Sequence, residues 1–194
     1  MTLNVPFFKR APRDWHDRVL FEIASAIKPA CYVEVGIYHA ETLNKIARVA
    51  DVAIGIDINP EAERYIKTKN TRFVRADLGL GTDDLDAAMS DAGAQFINLA
   101  FIDGDHRSHA AMRDFAVIAE RSTFETLIFL HDTWPMDRQH AEDRYCSDSY
   151  RVPAEISHTY GGEWQCVTIP THPGLTICSQ AKARPRWVRR EKNG

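Results

Sequence analysis

The stretch that decides the fold is Tyr32-Val33-Glu34-Val35-Gly36-Ile37-Tyr38-His39-Ala40-Glu41-Thr42-Leu43. Residues 31–35 are apolar or β-branched apart from one acid, which is typical of a buried strand, and the strand breaks at Gly36. Helical spacing resumes at once, with apolar residues on one face: Leu43, Ile46, Ala47 and Ala50. A strand that turns through glycine into a helix directs free backbone N–H groups at whatever lies above the sheet.

A second strand, at 52–56, ends in Asp57, and an acid about 20 residues after such a turn suits a ribose diol. This order is typical of the nucleotide-binding half of a doubly wound sheet. The dinucleotide fingerprint G-x-G-x-x-G is incomplete, because Tyr38 and Glu41 replace its second and third glycines. The sequence therefore argues against NAD and favours a cofactor without a pyrophosphate, such as S-adenosylmethionine. The alternative is a plain βα turn capped by Glu34.

Five predicted strands alternate with helices, and a hairpin at 163–169 and 175–179 follows them. Alternation predicts a parallel sheet with helices on both faces, and the hairpin adds one antiparallel strand. We therefore predict an α/β fold with a doubly wound, mostly parallel seven-stranded sheet. The predicted helices include those at 14–27 and 61–69. The inward face of the first is predicted to consist of Trp15, Val19, Ile23 and Ile27.

The composition is typical of a globular domain, with 44% hydrophobic residues among 194 and a formal net charge of −3. This charge excludes a nucleic-acid footprint over the whole surface. We expect one domain at 1–180, with an irregular arm at 1–13. The basic tail at 181–194 is expected to be disordered, or to contact a polyanion or a partner subunit. The sequence shows neither a signal peptide nor a membrane span, and its four cysteines lack C-x-x-C spacing, so we expect a cytoplasmic protein.

Acidic side chains follow all five strands of the alternating part. Ligands of an open α/β sheet bind outside the carboxyl ends of its strands, so these residues should share one rim. In chain order they are Glu34 beside Gly36, then Asp57, Asp77, Asp103 with Asp105 and His106, and His131 with Asp132. Charges are costly in a core and do not gather on one rim for packing reasons. For any single acid, the alternative is an ordinary solvated surface.

The first acids suit a nucleoside. Asp57 matches a ribose-binding acid. Asp77 could accept a hydrogen bond from the amino group of adenine, with Leu78 lying against the ring. These three residues therefore predict an adenosine site at the ends of the second and third strands.

The later residues suit catalysis. Asp103 and Asp132 end neighbouring strands, so their carboxylates should converge and could hold Mg²⁺. His131 would also suit Mn²⁺, Fe²⁺ or Zn²⁺. His106 lies at a helix start, where it could act as a general base near neutral pH. The alternative for His106 is a hydrogen bond to Asp103 without a catalytic role.

At these residues the chain resembles the class I S-adenosylmethionine-dependent methyltransferases. Within that class it is similar to the catechol, macrocin and mycinamicin O-methyltransferases and the cephalosporin-hydroxylase-like proteins. The motifs that carry the resemblance are residues 33–38 (VEVGIY), 55–60 (GIDINP), 101–106 (FIDGDH) and 131–132 (HD). The resemblance runs from about residue 31 to residue 179, and it implies a Rossmann-like methyltransferase fold.

The resemblance also implies roles. Residues along the methionine part of the cofactor would be Glu34, Gly36 and Tyr38, and Thr42 would bind its carboxylate. Asp57 would hold the ribose, with Ile58 of the same motif beside it. Asp103 and Asp132 match metal ligands, and His106 falls where sugar-modifying members place a base. Two departures concern Tyr38 and Ala40, which occupy positions where this class often has glycine, and the neighbours of Asp132, which are His131 and Thr133.

We therefore predict an O-methyltransferase that acts on a hydroxyl group of a small molecule or sugar with help from a divalent metal. Residues 134–150 would cover the acceptor. The partner is expected to be this small-molecule acceptor, with no membrane or nucleic acid, and a homo-oligomer stays open. The alternatives are a metal-dependent hydrolase and a non-catalytic protein that binds S-adenosylmethionine.

Overall fold

The computed structural model describes Pro12 and residues 14–181, so the predicted arm at 1–13 and tail at 181–194 lie almost wholly outside the described residues. The strands are β1 (Cys31–Val35), β2 (Val52–Asp57), β3 (Thr71–Arg75), β4 (Ile97–Ile102), β5 (Ser122–His131), β6 (Trp164–Ile169) and β7 (Leu175–Gln180). The α-helices are α1 (Trp15–Ile27), α2 (Glu41–Ile46), α3 (Asp83–Asp91), α4 (Ser108–Glu120) and α5 (Val152–Thr159). Short 3₁₀ helices occupy Pro60–Tyr65, Gln139–Ala141 and Ser149–Arg151.

The described strands form one sheet in the order β3-β2-β1-β4-β5-β7-β6. Strands β1 to β5 pair in parallel, whereas β7 runs antiparallel to both β5 and β6. The predicted seven-stranded sheet with one antiparallel strand from the hairpin is therefore confirmed. The chain reverses its winding direction between β1 and β4, and ligands of such sheets bind at this switch point.

Both faces of the sheet are covered, and β1 shows why. All five of its residues are buried, and alternate side chains enter different cores. Cys31, Val33 and Val35 belong to a core that also contains residues of α3, α4 and α5. Tyr32 belongs to a second core, which contains residues of α1 and α2. The strand ends at the rim are thus held by packing on two sides.

The face predicted for α1 is correct for Trp15, Val19 and Ile23, which pack against the second core, but not for Ile27. Its buried residues are Asp17, Leu20 and Ala24, whereas Ile27 is 44% exposed. Asp17 accepts hydrogen bonds from Thr42 Oγ1 (2.7 Å) and Lys45 Nζ (2.9 Å) of α2. This ionic contact turns the acidic edge of α1 inward, and apolar spacing alone does not reveal it.

The helix predicted at 61–69 is also shorter than expected, because Pro60–Tyr65 forms only a 3₁₀ helix. The side chain of Asn44 explains its end. Its amide nitrogen donates to the carbonyl of Tyr65 (2.8 Å), and its oxygen accepts from the N–H of Lys67 (2.8 Å). These bonds hold the chain extended where further helical turns would have continued.

None of the helices in the described part of the chain is long and apolar enough to cross a membrane.

Candidate active site

The glycine turn brings the ends of β1, β2 and β4 together. Gly36 has φ +82°, and its N–H donates to the carbonyl of Ile56 (2.8 Å). On the other side, the N–H of Asp103 donates to the carbonyl of Val35 (2.9 Å). A Cβ on Gly36 would overlap the backbone of Asp103 and Gly104. The turn therefore requires glycine both for its left-handed conformation and for the close approach of β4.

The same turn keeps left-handed conformations at two residues that are not glycine. Tyr38 has φ +46° and Ala40 has φ +52°. Residues other than glycine rarely adopt this region, since their Cβ crowds the backbone. At these two positions the backbone therefore adopts the conformation that suits glycine, which is the residue that the resembling class often has there. We conclude that the turn carries local strain at Tyr38 and Ala40.

An open cavity of about 580 Å³ lies over this turn. Its wall includes most of the residues predicted to bind the cofactor: Gly36, Tyr38, Asp57, Ile58, Asp77 and Leu78. Asp57 is fixed by two backbone donors, because its Oδ2 accepts from the N–H of Tyr38 (2.9 Å) and its Oδ1 from that of Asn59 (2.8 Å). The space between the glycine turn and Asp57 is therefore open, and the acid is held at its edge.

Two residues predicted to bind the cofactor lie elsewhere. Glu34 is 3% exposed and accepts a hydrogen bond from the hydroxyl of Tyr32 (2.6 Å) and one from the backbone N–H of Leu43. Burial raises the pKa of Glu34 well above its usual range. Thr42 donates its hydroxyl proton to Asp17. Neither residue contributes to the wall of the open cavity, and the backbone N–H that bonds to Glu34 belongs to Leu43 in α2.

Beside the cavity, four side chains form a compact group, the acid–histidine cluster, which consists of Asp103, His106, His131 and Asp132. Nδ1 of His131 lies 2.8 Å from Oδ1 of Asp103 and 3.4 Å from Oδ2 of Asp132. Nδ1 of His106 lies 3.0 Å from the same Oδ2 of Asp132. Every residue predicted to be catalytic or metal-binding is thus in one place.

The cluster neutralises its own charge. Hydrogen bonding to Asp132 raises the pKa of His106 to about 9, against the effect of its partial burial. Burial would lower the pKa of His131, but the charges of Asp103 and Asp132 outweigh it and raise the pKa to about 10. Burial is likewise outweighed at Asp132, whose pKa lies well below its usual range because both histidines donate to it. The pKa of His106 in the cluster alone is therefore not near neutral, in contrast to the expectation from the sequence.

The residues present fit a divalent cation. Asp103, His131 and Asp132 each offer one ligand atom, and these atoms all lie within 4.8 Å of one another. Two carboxylate oxygens and an imidazole nitrogen are a ligand set that Mn²⁺, Fe²⁺ and Zn²⁺ accept, and the carboxylates alone suit Mg²⁺. A bound cation would also replace the histidine protons that now neutralise the carboxylates of Asp103 and Asp132.

Sequence reasoning did not foresee what surrounds the cluster. Cys146 Sγ lies 3.4 Å from Oδ1 of Asp132, and Ser149 donates its hydroxyl proton to the carbonyl of Asp132 (2.7 Å). Asp148 accepts from the N–H of Ser108 at the start of α4 (2.6 Å). The end of the segment predicted as a lid is thus fastened to the cluster and to α4. Only the three-dimensional packing reveals these partners, because they are separated by 14 to 40 residues.

That segment also forms part of a second, polar cavity of about 450 Å³. Its walls are formed by two segments, Gly104, Asp105, His106 and Arg107 in the first and Asp143, Arg144, Tyr145 and Ser147 in the second. Gly104, Asp105 and Arg107 also line the larger cavity, so the two spaces adjoin. The arrangement offers one space for a cofactor and one for an acceptor, with His106 at the second.

Helix α4 and the residue that precedes it contribute side chains that the sequence did not predict as site residues. Arg107, Ala110, Arg113 and Asp114 all line the larger cavity. The spacing of Arg107, Ala110 and Asp114 by three and four residues places them on one side of a helix. That spacing could have identified them, given a helix that starts at the tip of β4.

Comparison with known proteins agrees with this geometry. Residues 33–133, slightly more than half of the 194-residue chain, match the family described as "Methyltransferase domain". The matched region runs from β1 through the glycine turn and ends directly after Asp132. No curated protein matches the sequence.

Solved structures share the fold at low identity. The O-methyltransferase TomG from Streptomyces achromogenes, involved in tomaymycin synthesis and in complex with SAM, has a TM-score of 0.66 and 11% identity, covering 88% of this chain and 82% of that one. An O-methyltransferase from Bacillus cereus in complex with SAH has a TM-score of 0.64 and 13% identity, covering 92% and 85%. An rRNA methylase from Streptococcus thermophilus has a TM-score of 0.58 and 13% identity, covering 91% and 100%.

These structures show a common fold and, because their acceptors differ, do not decide which acceptor this chain uses. The family match rests on the chain's own residues, and the class I fold inferred from the motifs is confirmed. The chain belongs to the methyltransferase-domain family.

Proposed function

We propose that this chain is an S-adenosylmethionine-dependent O-methyltransferase that acts on a hydroxyl group of a small molecule or sugar, with a divalent cation at Asp103, His131 and Asp132. The observation that carries the proposal is the juxtaposition of an open cavity over the glycine turn and the acid–histidine cluster beside it. A methyl donor and a hydroxyl-activating group must meet at such a boundary. The complexes of structural neighbours with SAM and SAH support the choice of cofactor.

The open cavity offers binding groups along its length. Asp57 would hold the ribose diol, and Asp77 and Leu78 would bind the adenine, while the turn at Gly36 and Tyr38 would lie along the methionine part. S-adenosylmethionine supplies an electrophilic methyl group on a sulfonium. The chain's own contribution is to align that group with the acceptor, and alignment alone can account for a large part of a rate enhancement.

His106 is the base in this proposal. Its Nδ1 faces the carboxylate of Asp132 and the carbonyl of Tyr145, which are both acceptors, so Nδ1 carries a proton. Nε2 is then the nitrogen that would take up the acceptor's proton, and because the pKa of His106 is raised to about 9, it is free to do so mainly at alkaline pH. Asp103, His131 and Asp132 would hold a divalent cation, which would act as a Lewis acid and lower the pKa of the acceptor hydroxyl.

The polar wall of the smaller cavity supports a hydroxylated acceptor. Arg107 and Arg144 carry positive charges there, while Asp105 and Asp143 carry negative ones. Tyr145 offers an aromatic face, with the guanidinium of Arg144 5.1 Å from its ring centre. Sugars and polyhydroxylated natural products match such a mixture of charged hydrogen-bonding groups and an aromatic surface.

The test is a methyl-transfer assay over a panel of catechols, glycosides and sugars, with mass spectrometry of the products. We expect at least one hydroxylated acceptor to gain a single methyl group, with stoichiometric S-adenosylhomocysteine, and EDTA to reduce the rate. Cofactor binding without turnover on any acceptor would favour a non-catalytic protein. Metal-dependent ester hydrolysis without cofactor affinity would favour a hydrolase.

A further inference from the structure

The last two strands of the described sheet bring two cysteines together. Cys166 of β6 and Cys178 of β7 lie directly opposite each other in the antiparallel ladder, and their sulfur atoms are 3.2 Å apart. Both are free thiols, as are Cys31 and Cys146. The two positions are 12 residues apart, which matches no cysteine motif, so only the register of the hairpin reveals the pair.

The pair occupies a position in the ladder where a disulfide fits. The N–H of Ala181 donates to the carbonyl of Glu163 (2.7 Å), so these opposite residues form a hydrogen-bonded pair. Such pairs alternate with non-hydrogen-bonded ones, and Cys166 and Cys178 lie three positions further along the same register. They are therefore a non-hydrogen-bonded pair, in which the Cα atoms are about 4.5 Å apart and the side chains approach most closely. A disulfide accepts Cα separations of about 4.4–6.8 Å, so the hairpin can accommodate one.

The next pair on the same face shows the same close approach. Thr168 and Thr176 are also directly opposite each other, and their hydroxyl oxygens lie 2.7 Å apart. Side chains two positions apart in a strand share a face, so this contact lies beside the two sulfur atoms. A second cross-strand contact thus supports the register at the cysteines.

The two thiols differ in their surroundings. Cys178 is completely buried in the core that contains residues of α4 and α5, whereas Cys166 is only partly buried and lies on the outermost strand of the described sheet. A hydrogen bond from the thiol of Cys178 lowers the pKa of Cys166, against the opposing effect of burial. Because the thiolate is the reactive form of cysteine, Cys166 is the nucleophile that a small oxidant can reach, and Cys178 is the thiol that follows.

We propose that Cys166 and Cys178 form a site of reversible oxidation, at which hydrogen peroxide converts the two thiols into a cross-strand disulfide. The inference is independent of the proposed function, because neither cysteine lines the cofactor cavity or the smaller polar cavity.

Two steps complete the reaction. The thiolate of Cys166 attacks one oxygen of the peroxide, the O–O bond breaks, and the departing hydroxide is protonated to water while Cys166 becomes a sulfenic acid. The sulfur of Cys178 then attacks the sulfur of Cys166, the S–O bond breaks, and hydroxide leaves as water with the proton of Cys178. In sum, the two thiols lose two electrons and two protons, and the peroxide is reduced to two molecules of water.

The test treats the reduced full-length protein with a small excess of hydrogen peroxide under native conditions, and then denatures and alkylates it. We expect the number of alkylated cysteines to fall from four to two, and to return to four after treatment with dithiothreitol. One tryptic peptide, residues 152–182, contains both cysteines, since no lysine or arginine lies between Arg151 and Lys182. In mass spectrometry the oxidised peptide should carry no alkyl group and be lighter by two hydrogen atoms than the reduced, unalkylated one.

Two variants identify the pair. Cys166→Ser should keep its three remaining thiols after peroxide treatment, because all three are buried. Cys31→Ala, which removes a buried cysteine of β1, is the matched control and should still lose two of its three thiols. The oxidised wild type should also melt several degrees above the reduced form, because the bond closes the loop of residues 167–177 in the unfolded chain. Peroxide should leave the melting temperature of Cys166→Ser unchanged.

Several results would overturn the proposal. The treated wild type could retain four alkylated cysteines, or Cys166→Ser could lose thiols to the same extent as the wild type. A disulfide between two chains, seen as a dimer on a non-reducing gel, or a lower melting temperature of the oxidised wild type would show that the hairpin does not accommodate the bond. Thermal melts of the untreated variants confirm that the compared proteins are folded.

Discussion

The two halves of the site are built differently. Over the glycine turn, the chain leaves an open cavity of about 580 Å³, and Asp57 at its edge is fixed by two backbone N–H groups. Behind the acid–histidine cluster, in contrast, there is a space of only about 10 Å³, and the acids are fixed by histidine side chains. The first half is preformed for a ligand, whereas the second is closed by its own ion pairs.

This difference indicates how each half responds to change. Removing a side chain from the cluster should affect chemistry while leaving cofactor affinity nearly intact. A change to the backbone of the turn should affect cofactor affinity first. A cation must compete with protons that already neutralise the cluster, because the pKa values of His106 and His131 are raised.

The largest expected effect concerns His106→Ala. Losing a general base lowers turnover by about 10²- to 10⁴-fold. Affinity for S-adenosylhomocysteine should stay within about threefold of the wild type, since His106 does not line the larger cavity. Single-turnover rates and calorimetry measure the two quantities. His158→Ala, exposed on α5, is the control, and an equal loss of affinity and turnover in His106→Ala would contradict the separation of the halves.

A smaller but still large effect is expected for Gly36→Ala. The new Cβ would overlap the backbone of Asp103 and Gly104, in addition to the cost of about 1–2 kcal/mol for a left-handed conformation. We expect a loss of about 100-fold or more in S-adenosylhomocysteine affinity, with a lower unfolding temperature. Gly81→Ala is the matched control, because nothing lies within 4 Å of a Cβ there. Unchanged affinity in Gly36→Ala would show that the turn does not shape the cavity.

The next prediction concerns metal binding. A cation at about 100 times its dissociation constant should stabilise the fold by about 2.7 kcal/mol, which raises the unfolding temperature by several degrees. We expect this shift with Mn²⁺ or Mg²⁺ and its loss in Asp132→Asn. Asparagine is chosen because residue 132 has φ +58°, a region that asparagine tolerates.

The exposed acid Asp137 provides the control for this measurement, since Asp137→Asn should keep the full shift. A shift that persists in Asp132→Asn would place the cation elsewhere on the molecule.

The smallest expected effect concerns the strain in the turn. Ala40→Gly removes the Cβ from a left-handed residue and should stabilise the fold by about 1 kcal/mol. Ala87→Gly, exposed within α3, should destabilise it by about 0.5–1 kcal/mol, because glycine is unfavourable in a helix. Urea unfolding of both variants measures the difference. Equal destabilisation by the two changes would mean that Ala40 is not strained.

Much of the open half could be predicted from the sequence. The glycine turn and Asp57 lie within about 25 residues of one another and obey one strand–turn–helix–strand pattern. The position of Glu34 outside the cavity could also have been predicted. Successive side chains of a strand point to opposite faces, so Glu34 lies opposite Val35, which does line the cavity.

For the acid–histidine cluster, the sequence predicted which residues lie together but not how they interact. Sequence reasoning brought Asp103, His131 and Asp132 together because neighbouring strands end at one rim. It could not supply their ion pairs, the contact of Cys146 with Asp132, or the hydrogen bond that engages Thr42 with Asp17. These depend on how distant segments pack, and local spacing carries no information about that. The pKa of His106 was misjudged for the same reason.

The most direct test of the central claim, that the open cavity holds an adenosyl cofactor, is calorimetric titration of S-adenosylhomocysteine into the wild type and into Asp57→Ala, with Asp51→Ala as an exposed control. We predict one binding site per chain with micromolar affinity, weakened at least about tenfold in Asp57→Ala and unchanged in Asp51→Ala. The absence of binding to the wild type at millimolar ligand, or equal affinity in Asp57→Ala, would contradict the account.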